Sequence, residues 1–209
     1  MTRRLAISDI HGYFDRFKTV LAAAEYDPAK DRLHILGDLC DRGPQSREVI
    51  EEARRLEALG VKVFKGNHEW LLSRAAANFD SGCVAEWISN GGGKTLDSYG
   101  GQVPWAVAVW CAGLPRYYEM PDMILVHAGL RPGVALSLQA ERDLAWIRDE
   151  FIRGPAPDKL VVFGHTPTYR LHGKPEIWRG ENRVGIDTGA AYGGPLTLVD
   201  LDTWQTWAA

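Results

Sequence analysis

Five short apolar runs in this sequence each end in side chains able to ligate a metal ion. Arg4-Leu5-Ala6-Ile7-Ser8 leads into Asp9-Ile10-His11-Gly12, and Leu33-His34-Ile35-Leu36 into Gly37-Asp38-Leu39-Cys40-Asp41-Arg42-Gly43. Val61-Lys62-Val63-Phe64 is followed by Lys65-Gly66-Asn67-His68-Glu69, Met123-Ile124-Leu125-Val126 by His127-Ala128-Gly129, and Leu160-Val161-Val162-Phe163 by Gly164-His165-Thr166. Carboxylate oxygens, an amide oxygen and imidazole nitrogens, with no thiolate placed among them to favour a soft ion, suit manganese, iron or zinc. Asp9 and His11 stand two apart, so on an extended strand they project to one side and can hold one ion together. Asp38 has a second carboxylate oxygen with which to bridge to another ion about 3.5–4 Å away, and Asn67, His127 and His165 complete that second position. One histidine at a strand end is ordinarily structural. Five ends carrying matching donor types argue for a shared site.

The runs that must position these residues have the length and the β-branched or aromatic content of strands. Helical patterns separate them: Gln45 to Leu59, with Val49, Ala53 and Leu56 on one face and Gly60 as its stop, and a second from about Leu136 to Phe151. Strands alternating with helices predict an α/β layered core, with the ligand site outside the carboxyl ends of the strands. Residues 1–209 form a single domain in this reading. A helical insertion at about 81–121, broken at Gly91-Gly92-Gly93 and Gly100-Gly101, covers one end of the sheet. Gly91-Gly92-Gly93-Lys94-Thr95 lacks phosphate-loop spacing and reads as a flexible turn opening a helix at Thr95. Glu176–Trp178, Arg183–Ile186 and Leu196–Val199 read as antiparallel hairpins.

Composition narrows the partners. The chain has 209 residues with 24 Lys and Arg against 27 Asp and Glu, so it lacks the broad excess of positive charge that a nucleic-acid binder needs to neutralise phosphates. Its longest nearly apolar run, Val103 to Leu114, is far short of the ~20 residues of a membrane span. Cys40, Cys83 and Cys111 are odd in number and widely spaced, which fits reduced thiols and a cytoplasmic setting without a disulfide framework. No nucleic acid and no membrane are expected as partners.

The ordered series SDIHG, GDLCDRG, KGNHE, HAG and GHT resembles the PPP family of dinuclear metallophosphoesterases, and in length the short bacterial and phage serine/threonine protein phosphatases. The resemblance spans positions 9 to 189. It departs at Ser8, where glycine is usual, and at Cys40, where a branched apolar residue is common; the thiol there could add sensitivity to oxidation. The resemblance implies the calcineurin-like fold, a mixed β-sandwich flanked by helices, and metal ligands at Asp9, His11, Asp38, Asn67, His127 and His165. It also implies two divalent ions, manganese first, with iron, zinc or cobalt accepted by the same donors. In that scheme a water activated by the ions attacks phosphorus. His68 protonates the leaving alkoxide, Asp41 orients His68, and Arg42 and Arg148 clamp the phosphate with their guanidinium forks. The implied activity is hydrolysis of phosphoserine and phosphothreonine in proteins, and of small phosphoesters. The alternatives are a diadenosine tetraphosphate hydrolase and a metal-stabilised binding module without turnover.

Other residues take plainer roles. His34 is expected to be structural and His172 a surface-loop residue. The eight tryptophans pack the core, the insertion and the hairpins, and Asp187 supports the site from outside the ligand set. Arg47, Arg54 and Arg55 pair with Glu48, Glu51 and Glu52 along one helix.

Overall fold

The computed structural model describes residues 2–78 and 81–209. The first sheet holds β1 (Arg4–Ile7), β2 (Arg32–Ile35), β3 (Lys62–Val63), β9 (Thr197–Asp200) and β10 (Thr206–Ala208), in the order β10-β9-β1-β2-β3. The second holds β4 (Tyr117–Glu119), β5 (Met123–Val126), β6 (Leu160–Phe163), β7 (Trp178–Gly180) and β8 (Arg183–Gly185), in the order β4-β5-β6-β8-β7. β1, β2 and β3 run parallel, as do β5, β6 and β8, while β4, β7, β9 and β10 pair antiparallel. The mixed sheets and the two late hairpins follow the sequence reading.

Strand alternation explains the layering. Leu5, Ile7 and Leu198 face the helices, whereas Ala6 and Val199, from the same strands, face the second sheet. Met123, Leu125 and Val162 meet them there, and Ile124, Val126, Val161 and Phe163 turn outward to Leu144, Ile147 and Phe151. Successive side chains on a strand point to opposite faces, so each apolar strand serves two cores. The result is helix, sheet, sheet, helix.

Helices α1 (Phe14–Ala23) and α2 (Ser46–Glu57) cover the outer face of the first sheet, joined by α3 (Asn67–Asn78). The 81–113 segment consists of α4 (Ser81–Trp87), a kinked turn (Ile88–Gly92), α5 (Gly93–Ser98) and α6 (Trp105–Gly113). The glycine run is a turn, as expected: Gly91 leaves helical geometry (φ 107°, ψ 7°) and kinks the chain, and the helix that carries Thr95 begins at Gly93. The expected helix from 136 to 151 is divided into a 3₁₀ turn (Leu136–Leu138), α7 (Glu141–Trp146) and α8 (Asp149–Ile152). Ile147 takes extended geometry (φ −60°, ψ 142°) and ends the helix, freeing Arg148 to turn back and donate from Nη1 to Thr166 Oγ1 at 3.3 Å. Helix α9 (Tyr169–His172) replaces the loop expected around His172, whose Nδ1 bonds to Thr168 O at 2.8 Å. His34 is buried, with Nδ1 on Leu5 O at 3.1 Å. Arg47 and Arg55 pair with Glu51 and Glu52, but Arg54 lies over the Trp110 ring.

Candidate metal centre

Because β1, β2, β3, β5 and β6 are parallel within their sheets, their carboxyl ends meet at one rim. Backbone bonds tie neighbouring strand ends within each half: Asp9 N–H to Gly37 O at 3.1 Å and His11 N–H to Asp38 O at 2.8 Å on the first sheet, and Gly164 N–H to His127 O at 2.7 Å on the second. The His165 N–H donates to Asp9 Oδ2 at 2.9 Å. Asp9 and His11 do not lie on an extended strand, as their spacing suggested. β1 ends at Ile7, and both residues adopt left-handed backbone geometry, with φ of 54° and 47°. Asp38, Asp41, Arg42 and His165 do the same, with φ of 55°, 70°, 67° and 60°. Such geometry costs on the order of 1–3 kcal/mol per residue and persists only where surrounding contacts enforce it. Six of the nine non-glycine residues with positive φ among those described are thus site residues.

Asp38 lies at the middle. Its Oδ2 is 3.6 Å from His11 Nε2, 3.4 Å from His127 Nε2 and 3.9 Å from His68 Nε2, and His11 Nε2 is also 4.0 Å from Asp9 Oδ1. Asn67 Oδ1 is 3.0 Å from His127 Nε2. Two donor clusters share the Asp38 carboxylate: His11, Asp38 and His68, and Asp38, His127 and His165. The imidazoles are oriented from behind. His11 Nδ1 meets Cys40 O at 2.9 Å and His127 Nδ1 meets Leu36 O at 2.7 Å, which puts a proton on each Nδ1 and turns each Nε2 toward the centre; the lone pair is free on His11, and on His127 it is freed when the ring gives up its second proton.

A divalent cation fits this set on two grounds. The buried His165 Nε2 has no hydrogen-bond partner, an expense a protein seldom carries without a ligand to meet it. Arg42 also already places positive charge on the His11 lone pair, its Nη1 2.8 Å from His11 Nε2 and its Nη2 2.8 Å from His68 Nε2.

Burial and charge compete strongly here. Burial raises the Asp38 carboxyl, but the neighbouring His127, His68 and His11 outweigh it and hold the group well below the usual carboxylate range. Burial raises Asp9, reinforced by the charge on Asp38. Burial depresses His127, yet Asp38 and Asp9 carry it up to about 9. His11 and His165 are pushed well down, first by burial and then by the imidazoles His68 and His127 respectively. His68 is raised: burial opposes, and Asp38 and Asp41 prevail. His68 Nδ1 is 2.7 Å from Asp41 Oδ2, with both side chains fully buried.

All ten residues singled out from the sequence lie at or beside this rim. Arg148 is half-buried at its edge, where burial lowers its pKa and the charge of Asp9 opposes. Asp187 is buried beside the donor cluster, accepting the Gly189 N–H at Oδ1. Cys40 is buried, and burial together with Asp41 and Glu69 pushes its thiol pKa up, which works against the thiolate that oxidation requires.

Four contributors carried no role in the sequence reading. Glu69 accepts the backbone N–H groups of Asp38, Leu39 and Gly66 at 2.8, 2.8 and 2.9 Å, fixing the turn that aims Asp38. It lies inside a motif, so its position was visible but its task was not. Trp87 and Thr95 reach Asp41 from the helical segment, where tryptophan resembled ordinary packing. Tyr192 lies under the Arg42 guanidinium at 5.2 Å. Among the described residues no helix is long and apolar enough to cross a membrane.

The family model for calcineurin-like phosphoesterases matches residues 2–193. The chain is 31% identical over 208 residues to serine/threonine-protein phosphatase 1 of Salmonella typhimurium, covering 93% of this chain and 90% of that protein. It is 28% identical over 233 residues to an asymmetrical bis(5'-nucleosyl)-tetraphosphatase of Anoxybacillus flavithermus, covering 96% and 91%. A metallophosphoesterase structure from Sphaerobacter thermophilus superposes with a TM-score of 0.64 at 20% identity, over the whole of this chain and 88% of that one. The two-sheet sandwich, the donors gathered at its rim and a family match across nearly the whole length lead to one conclusion: the chain belongs to the calcineurin-like phosphoesterases, a family of metal-dependent hydrolases.

Proposed function

We propose that this chain is a phosphomonoesterase that removes phosphate from phosphoserine and phosphothreonine in proteins, and from small aryl phosphates. The observation that carries the reading is the placement of a buried His68–Asp41 pair and the Arg42 guanidinium on the same imidazole and carboxylate donors that can hold two cations. Asp9, His11 and Asp38 would hold one ion, and Asp38, Asn67, His127 and His165 the other. Bound there, two divalent ions supply Lewis acidity toward phosphoryl oxygens and lower the pKa of a water to about 7.

The side chains do the rest. Asp41 accepts the His68 Nδ1–H and its charge favours the protonated imidazole; Arg42 donates to Nε2 in the resting arrangement, and once it moves onto phosphate Nε2 is free to carry the proton offered to the leaving alkoxide. Arg42 swings from His11 and His68 onto two phosphoryl oxygens, for which its planar fork is matched. Arg148, anchored on Thr166, approaches from the second sheet. Manganese is the ion of choice in this proposal. A substrate met in the cytoplasm is part of it, and a protein bearing the phosphoester is the partner.

A second reading, a dinucleoside polyphosphate hydrolase, is favoured by one observation. The Tyr192 ring that carries Arg42 also lies 5.5 Å from the Arg170 guanidinium, so a further cation stands one ring away from the clamp. Length does not separate the two readings, since a tetraphosphatase relative is matched over 91% of its own length. A binding module without turnover is disfavoured by the complete set of acid, orienting and clamping groups. The test is to compare kcat/KM with Mn²⁺ for p-nitrophenyl phosphate, a phosphoserine/phosphothreonine peptide and diadenosine tetraphosphate. The proposal expects the first two to be turned over best. Preference for the tetraphosphate, lost in Arg170→Ala, would install the second reading, and turnover of none would leave the binding module.

A further inference from the structure

The stretch from Trp87 to Thr95 offers no ligand and lies outside the five motifs, yet it closes over Asp41 and Arg42. The Trp87 Nε1–H donates to both Asp41 oxygens, 3.0 Å to Oδ1 and 3.1 Å to Oδ2. Thr95 Oγ1 donates to Asp41 Oδ1 at 2.6 Å and accepts the Asp41 backbone N–H at 2.9 Å, which Ser46 Oγ also accepts at 3.0 Å. Asp41, Ser46, Thr95 and His68 are all fully buried, and Trp87 is nearly so.

The two glycines show how nine residues reach both targets. Gly91 has φ 107°, and its carbonyl accepts the Arg42 N–H at 3.2 Å; a Cβ there would lie 2.9 Å from Arg42 Cγ. A Cβ on Gly92 would lie 2.5 Å from Trp87 Cε2, so the indole packs flat on the chain and its N–H is turned to Asp41. With φ 107° and ψ 7°, Gly91 leaves helical geometry and kinks the chain between α4 and α5, so that the segment can reach both side chains.

We propose that Trp87 and Thr95 are positioning residues for the His68 proton donor, and that Gly91 is a positioning residue for the Arg42 clamp. This inference rests on the roles given above to His68 and Arg42. A carboxylate with one partner can turn about its last bond. With Thr95 and Trp87 on Oδ1 the rotor is fixed, and Oδ2 is held on His68 Nδ1 at 2.7 Å. One segment thus sets two catalytic functions through separate contacts, and each can be damaged alone.

The experiment compares kcat and KM on phenyl phosphate and p-nitrophenyl phosphate for Trp87→Phe, Thr95→Val, Thr95→Ser and Gly91→Ala. Phenolate, whose acid has a pKa near 10, needs a proton to leave; p-nitrophenolate is a far better leaving group. Trp87→Phe and Thr95→Val should lower kcat on phenyl phosphate about tenfold and on p-nitrophenyl phosphate less than about threefold, with KM held. Thr95→Ser, which keeps the hydroxyl, should recover most of the loss. Gly91→Ala should instead raise KM on both substrates about tenfold. Simple loss of folded or metal-loaded protein scales kcat on both substrates alike, so equal kcat losses on the two in Trp87→Phe and Thr95→Val, or none, overturn the inference, as does an unchanged KM in Gly91→Ala. In the metal-free protein the Trp87 indole N–H should exchange slowly with solvent; exchange at the rate of an exposed indole also overturns it. Wild-type protein active on neither substrate would remove the proposed function itself, whereas an active wild type with evenly impaired variants removes this inference alone.

Discussion

The half of the site on the first sheet and the half on the second are built differently. On the first, every functional side chain is held by close bonds: His11 by Cys40 O, the Asp38 turn by Glu69, Asp41 by Trp87 and Thr95. On the second, the His165 Nε2 is unpartnered and Arg148 has one long bond of 3.3 Å to Thr166. His127, the best-held member of the second half, takes its support from Leu36 O, at the end of the first sheet. The difference teaches that the first half is organised before any ligand arrives. The second leaves more to be met: the buried His165 Nε2 has no partner, which a bound cation would supply.

The largest effect should come from the organised half. His68→Asn should cut kcat by roughly 10²–10⁴-fold while leaving the metal content intact; loss of metal from that variant would reassign His68 to the ligand set. Glu69→Gln touches neither ion nor substrate, yet it should weaken metal affinity by about 10–100-fold, because the Asp38 turn loses a charged acceptor for three N–H groups. Metal titration followed by calorimetry reads this, and unchanged affinity would show the turn to be rigid without Glu69.

The comparison also predicts how pH acts on metal uptake. His127, carried up to about 9, is protonated at neutral pH in the metal-free protein and must lose that proton to ligate. Affinity should therefore rise by about tenfold per pH unit toward 9 and then level, with proton release measurable in weakly buffered solution. The same raised pKa stabilises the metal-free fold fully below the ordinary histidine value of about 6.5, and that contribution is lost as pH climbs through 9. A flat affinity between pH 6 and 9 would contradict a protonated His127.

The smallest effect separates the two arginines. Arg42→Ala should raise the inhibition constant for inorganic phosphate more than Arg148→Ala, about tenfold against about threefold, because Arg42 presents both nitrogens toward the centre and Arg148 enters by one weak bond. Equal effects would mean that ligand binding orders the second half as firmly as the first.

Much of the site was legible because its donor types recur at strand ends, a pattern that needs only a period-two strand and a turn to interpret. Less legible were the means of holding it. The spacing of Asp9 and His11 suggested an extended strand, whereas left-handed turns place them, stabilised by bonds from Gly37 and Asp38 that no local pattern encodes. The helix expected from 136 to 151 breaks at Gln139–Ala140 and again at Ile147, all in extended geometry, and beyond the second break Arg148 reaches Thr166. Trp87 and Thr95 lie 46 and 54 residues from Asp41, so their task was invisible in sequence.

By itself the chain order determined the donors, their assignment to five strand ends, the alternating α/β layers and the phosphoesterase family. These are local or composition-level properties, fixed by residue type and periodicity. Only the tertiary structure decided which nitrogens are free, how far burial and neighbouring charge move each pKa, and which remote side chains hold Asp38 and Asp41. Hydrogen bonds between distant segments and electrostatics in a water-poor interior depend on distances of a few ångströms, and those exist only once the two sheets have packed together.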